Sequence, residues 1–464
     1  MAFWSRLKPI DTAPQEAGRL KRTLSWPHLV ALGVGAIVGA GIYALIGQGA
    51  GMAGPGVVVS FAIAGLICAC ASLAYAELAT MMPAAGSAYT YTYATLGELI
   101  AWIVGWALIL EYTVVVSAVA VGWSGYAAGF LNGAGVAIPQ QFQLGVLHFN
   151  PLAVFIIFVV AGLLILGTRE SATVNAALVV LKLLALGLFL ALTLPHFDVR
   201  HFTPFAPFGW GAEAHGDSKV GVAAAAAIIF FAFYGFDAVS TAAEECKNPT
   251  RDLAIGIVGS MAICTAIYMA VGAAAIGAMD FHLFAPSGEP IALIVRSLGY
   301  PTAAAFIGAA AIIAIPTVIL GFLYGQTRIF FVMARDGLLP RALGGVHAKL
   351  GTPVAVTLFT ALVCSVLAGL LTLGEIAALA NAGTLAAFIA VSIALLVLRV
   401  RDPMRPRPFR APFAWAIAPI AVCGCLYLFS SLSQGTIVRF FVWMAIGLPI
   451  YLLWGARRSA LAKT

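Results

Sequence analysis

The chain has 464 residues, 62% of them hydrophobic and 9% charged, with a formal net charge of +7. An ordinary globular protein carries roughly 25% charged residues, so these figures exclude soluble domains, and with them disordered, collagen-like and disulfide-built chains. A mean hydropathy of +1.02 fits a chain whose solvent is mostly lipid, and the 48 Gly agree, because glycine lets membrane helices approach closely.

A hydrocarbon core of roughly 30 Å takes about 20 apolar residues per helix. Twelve runs approach that length: 26–46, 56–74, 99–130, 152–166, 174–194, 222–243, 253–279, 303–332, 354–371, 376–398, 415–432 and 437–453. Open sheets do not cross lipid and barrel strands alternate in polarity. The expected fold is therefore an all-α membrane protein with twelve transmembrane helices. Residues 1–25 are mostly polar, which argues against a cleavable signal.

The first span places four glycines in nine residues, Gly33, Gly35, Gly39 and Gly41. Each costs roughly 1 kcal/mol against Ala in a continuous helix, so the span reads either as broken or as packed tightly against a neighbour. A polar, aromatic-bearing connector over 82–97 follows the second span. Glu111 lies in the third span and Lys182 in the fifth, the latter about 14 Å along its helix at 1.5 Å per residue. The sixth span carries Gly235 and Asp237 at mid-depth, and the eighth holds Pro316, Thr317, Ile319 and, near its inner end, Arg328. A charge at the bilayer centre costs roughly 2.5–3.5 kcal/mol on insertion scales, so such residues face a cavity or a partner. Lys182 is either a structural ion pair with Glu111 or Asp237, or a working group. Arg328 is read as snorkelling to the surface.

Charge placement sets the orientation. With both termini inside, twenty Lys and Arg are cytoplasmic, among them Arg6, Lys8, Arg19, Lys21, Arg22, Arg169, Lys349 and Lys463, while Arg200, Lys219, Arg296 and Arg439 face outward. The positive-inside rule thus predicts cytoplasmic N- and C-termini. The same rule reads the arginine-rich stretch 399–410 as an anchoring loop, and no nucleic-acid partner is expected.

Gly41 and Gly235 fall in the first and sixth spans, the first of each of two five-span halves of opposite orientation. Interrupted helices at matching places in inverted halves point to a transporter site between them. The expected organisation is a cytoplasmic segment 1–25 and a first inverted repeat 26–194. A second repeat 195–398, a loop with two peripheral helices 399–455 and a cytoplasmic tail 456–464 complete it.

The residues GAIVGAGIY at 35–43, PAAGSAYTY at 83–91, FFAFYGFDAVSTAAEECKNPTRDLAIGI at 230–257 and GQTRIFFVMARDGLLP at 325–340 resemble the amino acid–polyamine–organocation superfamily. The long match in the sixth span, with Lys182, resembles most the bacterial branch of the cationic amino acid transporters. That resemblance runs from about residue 19 to 453. It implies a five-plus-five inverted fold with broken helices 1 and 6, and secondary active transport of L-amino acids across the inner (plasma) membrane.

The same resemblance implies that Gly39, Ala40 and Gly41 hold the substrate carboxylate. The freed N–H groups of a broken helix suit an anion on their own chemistry. Carbonyls of Ile37, Phe231, Ala232 and Tyr234 would accept bonds from the α-ammonium, with Ile319 lining the side-chain pocket. Glu111 either meets a basic substrate side chain or hydrogen-bonds to water or another helix. By resemblance Lys182 stands where sodium-driven relatives of the fold hold a cation, reaching the backbone near Gly35 and toward Thr317, and serves proton coupling. Asp237 is a further intramembrane acid.

Enzyme-like signals do not hold together. Gly33, Gly35 and Gly39 imitate a dinucleotide loop without a βαβ unit, and Gly122–Gly125 resembles a serine-protease motif with no His at its depth. Cys68/Cys70 and Cys423/Cys425 are spaced onto different helix faces. No cofactor, metal or catalytic residue is expected. The reading is a proton-coupled amino acid symporter. An amino acid or polyamine exchanger is the near alternative, a channel or receptor the distant one.

Overall fold

A computed structural model describes residues 6–10, 24–82, 86–133, 135–136, 139–144, 147–166, 172–216, 218–241, 246–345, 347 and 352–462. Arg19, Lys21, Arg22, Arg169, Lys349 and Lys463 lie outside these residues, as do positions 83–85 and 242–245 of the quoted motifs.

The first predicted span is three helices: α1 (Trp26–Ile37), α2 (Ala40–Tyr43) and α3 (Leu45–Ala53). Then come α4 (Val57–Met81), α5 (Ser87–Thr95) within the polar connector, and α6 (Glu98–Gly133). After the hairpin β1 (Phe142–Leu144) and β2 (Leu147–Phe149) the chain forms α7 (Pro151–Ile165) and α8 (Ala172–Thr193). A second hairpin, β3 (Glu213–His215) and β4 (Ser218–Val220), precedes α9 (Val222–Ile229), the 3-10 turn Phe230–Phe233 and α10 (Phe236–Thr241). The chain continues through α11 (Pro249–Ala278), α12 (Phe281–Phe284), α13 (Pro290–Ser297), α14 (Pro301–Ala314) and α15 (Pro316–Arg335). It ends with α16 (Val354–Leu370), α17 (Leu373–Arg401), α18 (Ala414–Ser431), α19 (Gln434–Ile450) and the short α20 (Ala456–Arg458). The two antiparallel hairpins are the departure from an all-helical chain, and both fall between the predicted spans.

Among the described residues eight helices are long and apolar enough to cross a membrane, and four shorter apolar ones accompany them: Trp26–Ile37, Pro151–Ile165, Val222–Phe233 and Val354–Leu370. The protein is a helical, multi-pass membrane protein. Proline opens α7, α11, α13, α14 and α15, where its missing N–H has no intrahelical acceptor to lose. Thr372 and Glu375 close a capping box at the start of α17, which fixes two otherwise orphaned N–H groups.

α6 forms the axis of the bundle: 83% of its apolar window is enclosed, against 22% for Gln434–Arg458 at the edge. The edge helix α19 is held by reciprocal bonds. Trp106 Nε1 donates to Trp443 O and Trp443 Nε1 to Trp106 O, each at 2.9 Å, with the rings stacked 4.6 Å apart.

One end of the bundle gathers both termini. Glu98 accepts from Arg6 at 3.5 Å, Tyr93 at 2.9 Å, Tyr451 at 3.0 Å and Ser459 at 2.5 Å. Asp336 accepts from Lys8 and Tyr89, both at 2.9 Å. Glu77 of α4, fully buried, binds the last turn of α17 through Arg399 Nη2 (2.5 Å) and the loop after it through Arg407 Nε (3.1 Å) and Ala411 N–H (2.7 Å). Removing one partner of a buried ion pair costs about 3–5 kcal/mol, because the others stay buried and uncompensated. Glu77→Ala is expected to lower the thermal unfolding midpoint in detergent accordingly. A midpoint unchanged from the parent would show that the loop does not depend on this acid.

Candidate functional site

Two helix interruptions meet at the centre. The first runs through Val38 and Gly39: the Val38 N–H still reaches Val34 O at 2.8 Å, and then the ladder stops. Among the described residues the N–H groups of Gly39, Ala40 and Gly41 donate to no backbone acceptor. The second interruption is the 3-10 turn Phe230–Phe233 and Gly235, whose φ of +111° suits a residue without a Cβ.

The breaks touch backbone to backbone. A Cβ on Gly41 would lie 2.4 Å from Ala232 Cα, and one on Gly235 would lie 2.7 Å from the carbonyl carbon of Ala36. Between them is a cavity of about 10 Å³, room for one water. Its walls are Ile37, Gly39, Ala40 and Gly41 of the first break, Phe231 and Tyr234 of the second, Val115 and Val119 of α6, and Val318 and Phe322 of α15.

Of the residues singled out in the sequence, Ile37, Gly39, Ala40, Gly41, Phe231 and Tyr234 come together here, and the others stand apart. Ala232 packs on Gly41 behind the cavity wall. Glu111 and Ile319 are buried outside the lining. Glu111 precedes Val115 by four positions, so it sits one turn, about 6 Å, further along the same stripe of α6. There its Oε2 accepts no hydrogen bond among the described residues, and its Cβ lies against Gly383 of α17. Ile319 is one residue round the helix from Val318, which turns its side chain by about 100° to another face. Asp237 lies in the first turn of α10 and accepts from the Tyr112 hydroxyl at 3.4 Å.

Lys182 of α8 is 1% exposed. Its Nζ donates to Gly35 O at 2.7 Å and to Thr317 Oγ1 at 3.2 Å. Thr317 is held at this spot because Pro316 interrupts the helix between α14 and α15, and the Thr317 hydroxyl donates back to Ala314 O at 2.8 Å. The Lys182 carbonyl accepts the Tyr43 hydroxyl of α2 at 3.0 Å. One residue of α8 therefore bonds both halves of the broken first helix. Arg328 lies over the Tyr324 ring and donates to its hydroxyl, with its head exposed.

Besides the lining residues Val115, Val119, Val318 and Phe322, three residues that bond the breaks escaped sequence reasoning. Tyr268 of α11 donates to Ile37 O at 2.8 Å, Tyr126 of α6 to Tyr43 O at 2.7 Å, and Asn381 of α17 bonds the second break. A lone amide in the apolar run 376–398 was a readable signal for Asn381; tyrosines in such runs are too common to be one.

A multi-pass helical bundle whose two interrupted helices enclose one central cavity is built as a transporter. Residues 24–452 match the amino acid permease family model. The chain is 45% identical to the branched-chain amino acid permease BcaP of Bacillus subtilis (strain 168), over 95% of each chain. It is 39% identical over the full length of both chains to the methylthioribose transporter of the same organism. To cationic amino acid transporter 2, vacuolar, of Arabidopsis thaliana it is 38% identical, over 86% of this chain and 63% of that one. The chain belongs to the amino acid permeases of the amino acid–polyamine–organocation superfamily; it is a transporter and not an enzyme.

The backbone contact between the breaks generates a steric test. Gly41→Ala is expected to push α2 from Ala232 and weaken binding of the transported ligand by about tenfold or more. Gly259→Ala, whose new Cβ would meet only Val30 at 3.5 Å, is the control. Equal ligand affinity in both variants, by equilibrium binding to purified protein, would remove the first break from the site.

Proposed function

We propose that this permease is a proton-coupled symporter of neutral L-amino acids, working by alternating access. On this reading residues 26–194 and 195–398 are the two inverted repeats of a twelve-helix fold, with peripheral helices after 399 and cytoplasmic termini in a cell membrane. The substrate carboxylate meets the N–H groups of Gly39, Ala40 and Gly41. Its ammonium meets the free lone pair of Ile37 O, the other being taken by Tyr268, together with carbonyls of Phe231, Ala232 or Tyr234. Dipoles then face both charges of the zwitterion, and no fixed ionic side chain is needed at mid-membrane. An amino acid outgrows a 10 Å³ cavity, so binding moves the walls, among which Phe231, Tyr234 and Phe322 have the most side chain to give.

The preference for neutral side chains rests on the lining, which contains Val115, Val119, Phe231, Val318 and Phe322 and no acid. The relative named as a branched-chain permease agrees with it. A cationic substrate would have to reach Glu111 one turn away. Glu111→Gln is therefore expected to leave the affinity for leucine within about twofold. An arginine affinity that exceeds that for leucine, and falls in this variant, would favour the cationic reading. Methylthioribose, the cargo named for another relative, is the competitor that tests for a different ligand class.

The observation that carries proton coupling is the ammonium of Lys182, bonded to Gly35 O and Thr317 Oγ1 where the broken first helix meets α8 and α15. A proton taken up there from outside stabilises the Gly35 contact, and its release inward frees α1. Each pH unit of gradient supplies about 1.4 kcal/mol, and 100 mV adds about 2.3 kcal/mol per charge. In proteoliposomes, uptake should rise with outside acidity and need no sodium. Lys182→Ala should lose gradient-driven accumulation. Accumulation by that variant equal to the parent, or strict sodium dependence of the parent, would sink the coupling role. Uptake only into vesicles preloaded with amino acid would identify an exchanger.

A further inference from the structure

The second break leaves carbonyls at the end of α9 without the N–H groups that a continuing α-helix would supply. Asn381, fully buried on α17, supplies them: its Nδ2 donates to Ala227 O at 2.5 Å and to Ile228 O at 3.1 Å. Carbonyls only accept, so the amide is fixed with its NH2 toward α9 and its oxygen pointing away. That oxygen accepts the hydroxyl of Tyr234. One side chain thus satisfies the frayed end of α9 and orients a wall of the central cavity.

We propose that Asn381 is a positioning residue for substrate selection, setting the reach of the Tyr234 ring into the cavity. The proposal rests on the reading that this cavity receives the substrate. Capping α9 would need only the NH2 group; the bond that Oδ1 accepts from the Tyr234 hydroxyl is what ties Asn381 to the cavity wall. Neighbouring rings hold Tyr234 less specifically, with Phe230 and Phe231 at 5.8 and 5.2 Å between centroids, contacts that set its plane and leave its hydroxyl free. Two turns further along α17, Phe388 packs on Phe230 and Phe236 at 5.6 and 5.1 Å, on either side of the break. α17 therefore grips the break at two points, and the Tyr234 wall is referred to α17 as a rigid element.

The test is the ratio of KM values for a small and a large apolar amino acid, alanine and leucine, in proteoliposome uptake. It compares the parent with Asn381→Ala, Tyr234→Phe and the double variant. Asn381→Ala and Tyr234→Phe should each change the ratio about tenfold, in the same direction. The double variant should change it no more than either alone, the signature of two groups acting through one bond. A lower maximal rate for both substrates with an unchanged KM ratio in Asn381→Ala, beside a changed ratio in Tyr234→Phe, would overturn the positioning role alone. An unchanged ratio in Tyr234→Phe would instead remove the cavity from substrate binding, and the proposal with it. Should Asn381→Ala not purify as a monodisperse protein, Asn381→Ser, a small polar replacement also too short to reach Tyr234, takes its place; it should show the same ratio change, and a parent-like ratio would overturn the proposal.

Discussion

Everything at the centre of this protein follows from opening two helices inside lipid, where a backbone N–H or carbonyl finds no water to bond. The freed groups have been met one at a time by the surrounding helices. Tyr268 of α11 takes the Ile37 carbonyl, Lys182 of α8 takes Gly35, and Asn381 of α17 takes Ala227 and Ile228. Among the described residues the N–H groups of Gly39, Ala40 and Gly41 meet no backbone acceptor, and these three residues lie in the wall of the central cavity. The satisfied groups define the scaffold and the unsatisfied ones define the site.

Glycine makes the arrangement possible by removing side chains where backbones must meet. Gly41 lies against Ala232 and Gly235 against Ala36, so each break is the packing surface of the other. A shift at one is transmitted to the other without an intermediate side chain. Lys182 adds a third element to this contact, since its side chain bonds α1 while its own carbonyl holds Tyr43 of α2. Movement of α8 relative to either half of the first helix must break one of these bonds.

Much of this was legible in the sequence because lipid permits so few solutions. Glycines 33, 35, 39 and 41 in one apolar run, and Gly235 beside Asp237 in another, marked both breaks, since neither pattern suits a continuous buried helix. Lys182 stood out as a lone ammonium at mid-depth, and the family resemblance, not its depth, pointed it toward Gly35 and Thr317. Facing was less legible. A run that is apolar all round carries no amphipathic stripe, so nothing in the third or eighth span marked Val115, Val119, Val318 and Phe322 as lining, or Glu111 and Ile319 as lying beyond it. Asn381 was visible as a polar residue in an apolar run, yet its partners on α9 are 154 and 153 residues away in sequence. The short hairpins and α5 were hidden inside connectors whose polarity reads only as loop.

The ion pairs at the end that gathers the termini fall into two physical classes. Glu77 with Arg399 and Arg407 is enclosed, with side-chain exposures of 1%, 10% and 8%, and separating such charges leaves each of them desolvated and unpaired. Lys8 with Asp336 and Arg6 with Glu98 keep their basic partners 21% and 18% exposed, so water can solvate the base when the pair separates, while Asp336 keeps the Tyr89 hydroxyl and the buried Glu98 keeps those of Tyr93, Tyr451 and Ser459. The first class binds the end of α17 and the loop that follows it to α4. The second class joins residues 6–8 to the start of α6 and the end of α15, the two helices whose valines and phenylalanine line the cavity. Rearrangement around the cavity therefore costs less where residues 6–8 cross these two lining helices than it would where Glu77 holds its two arginines.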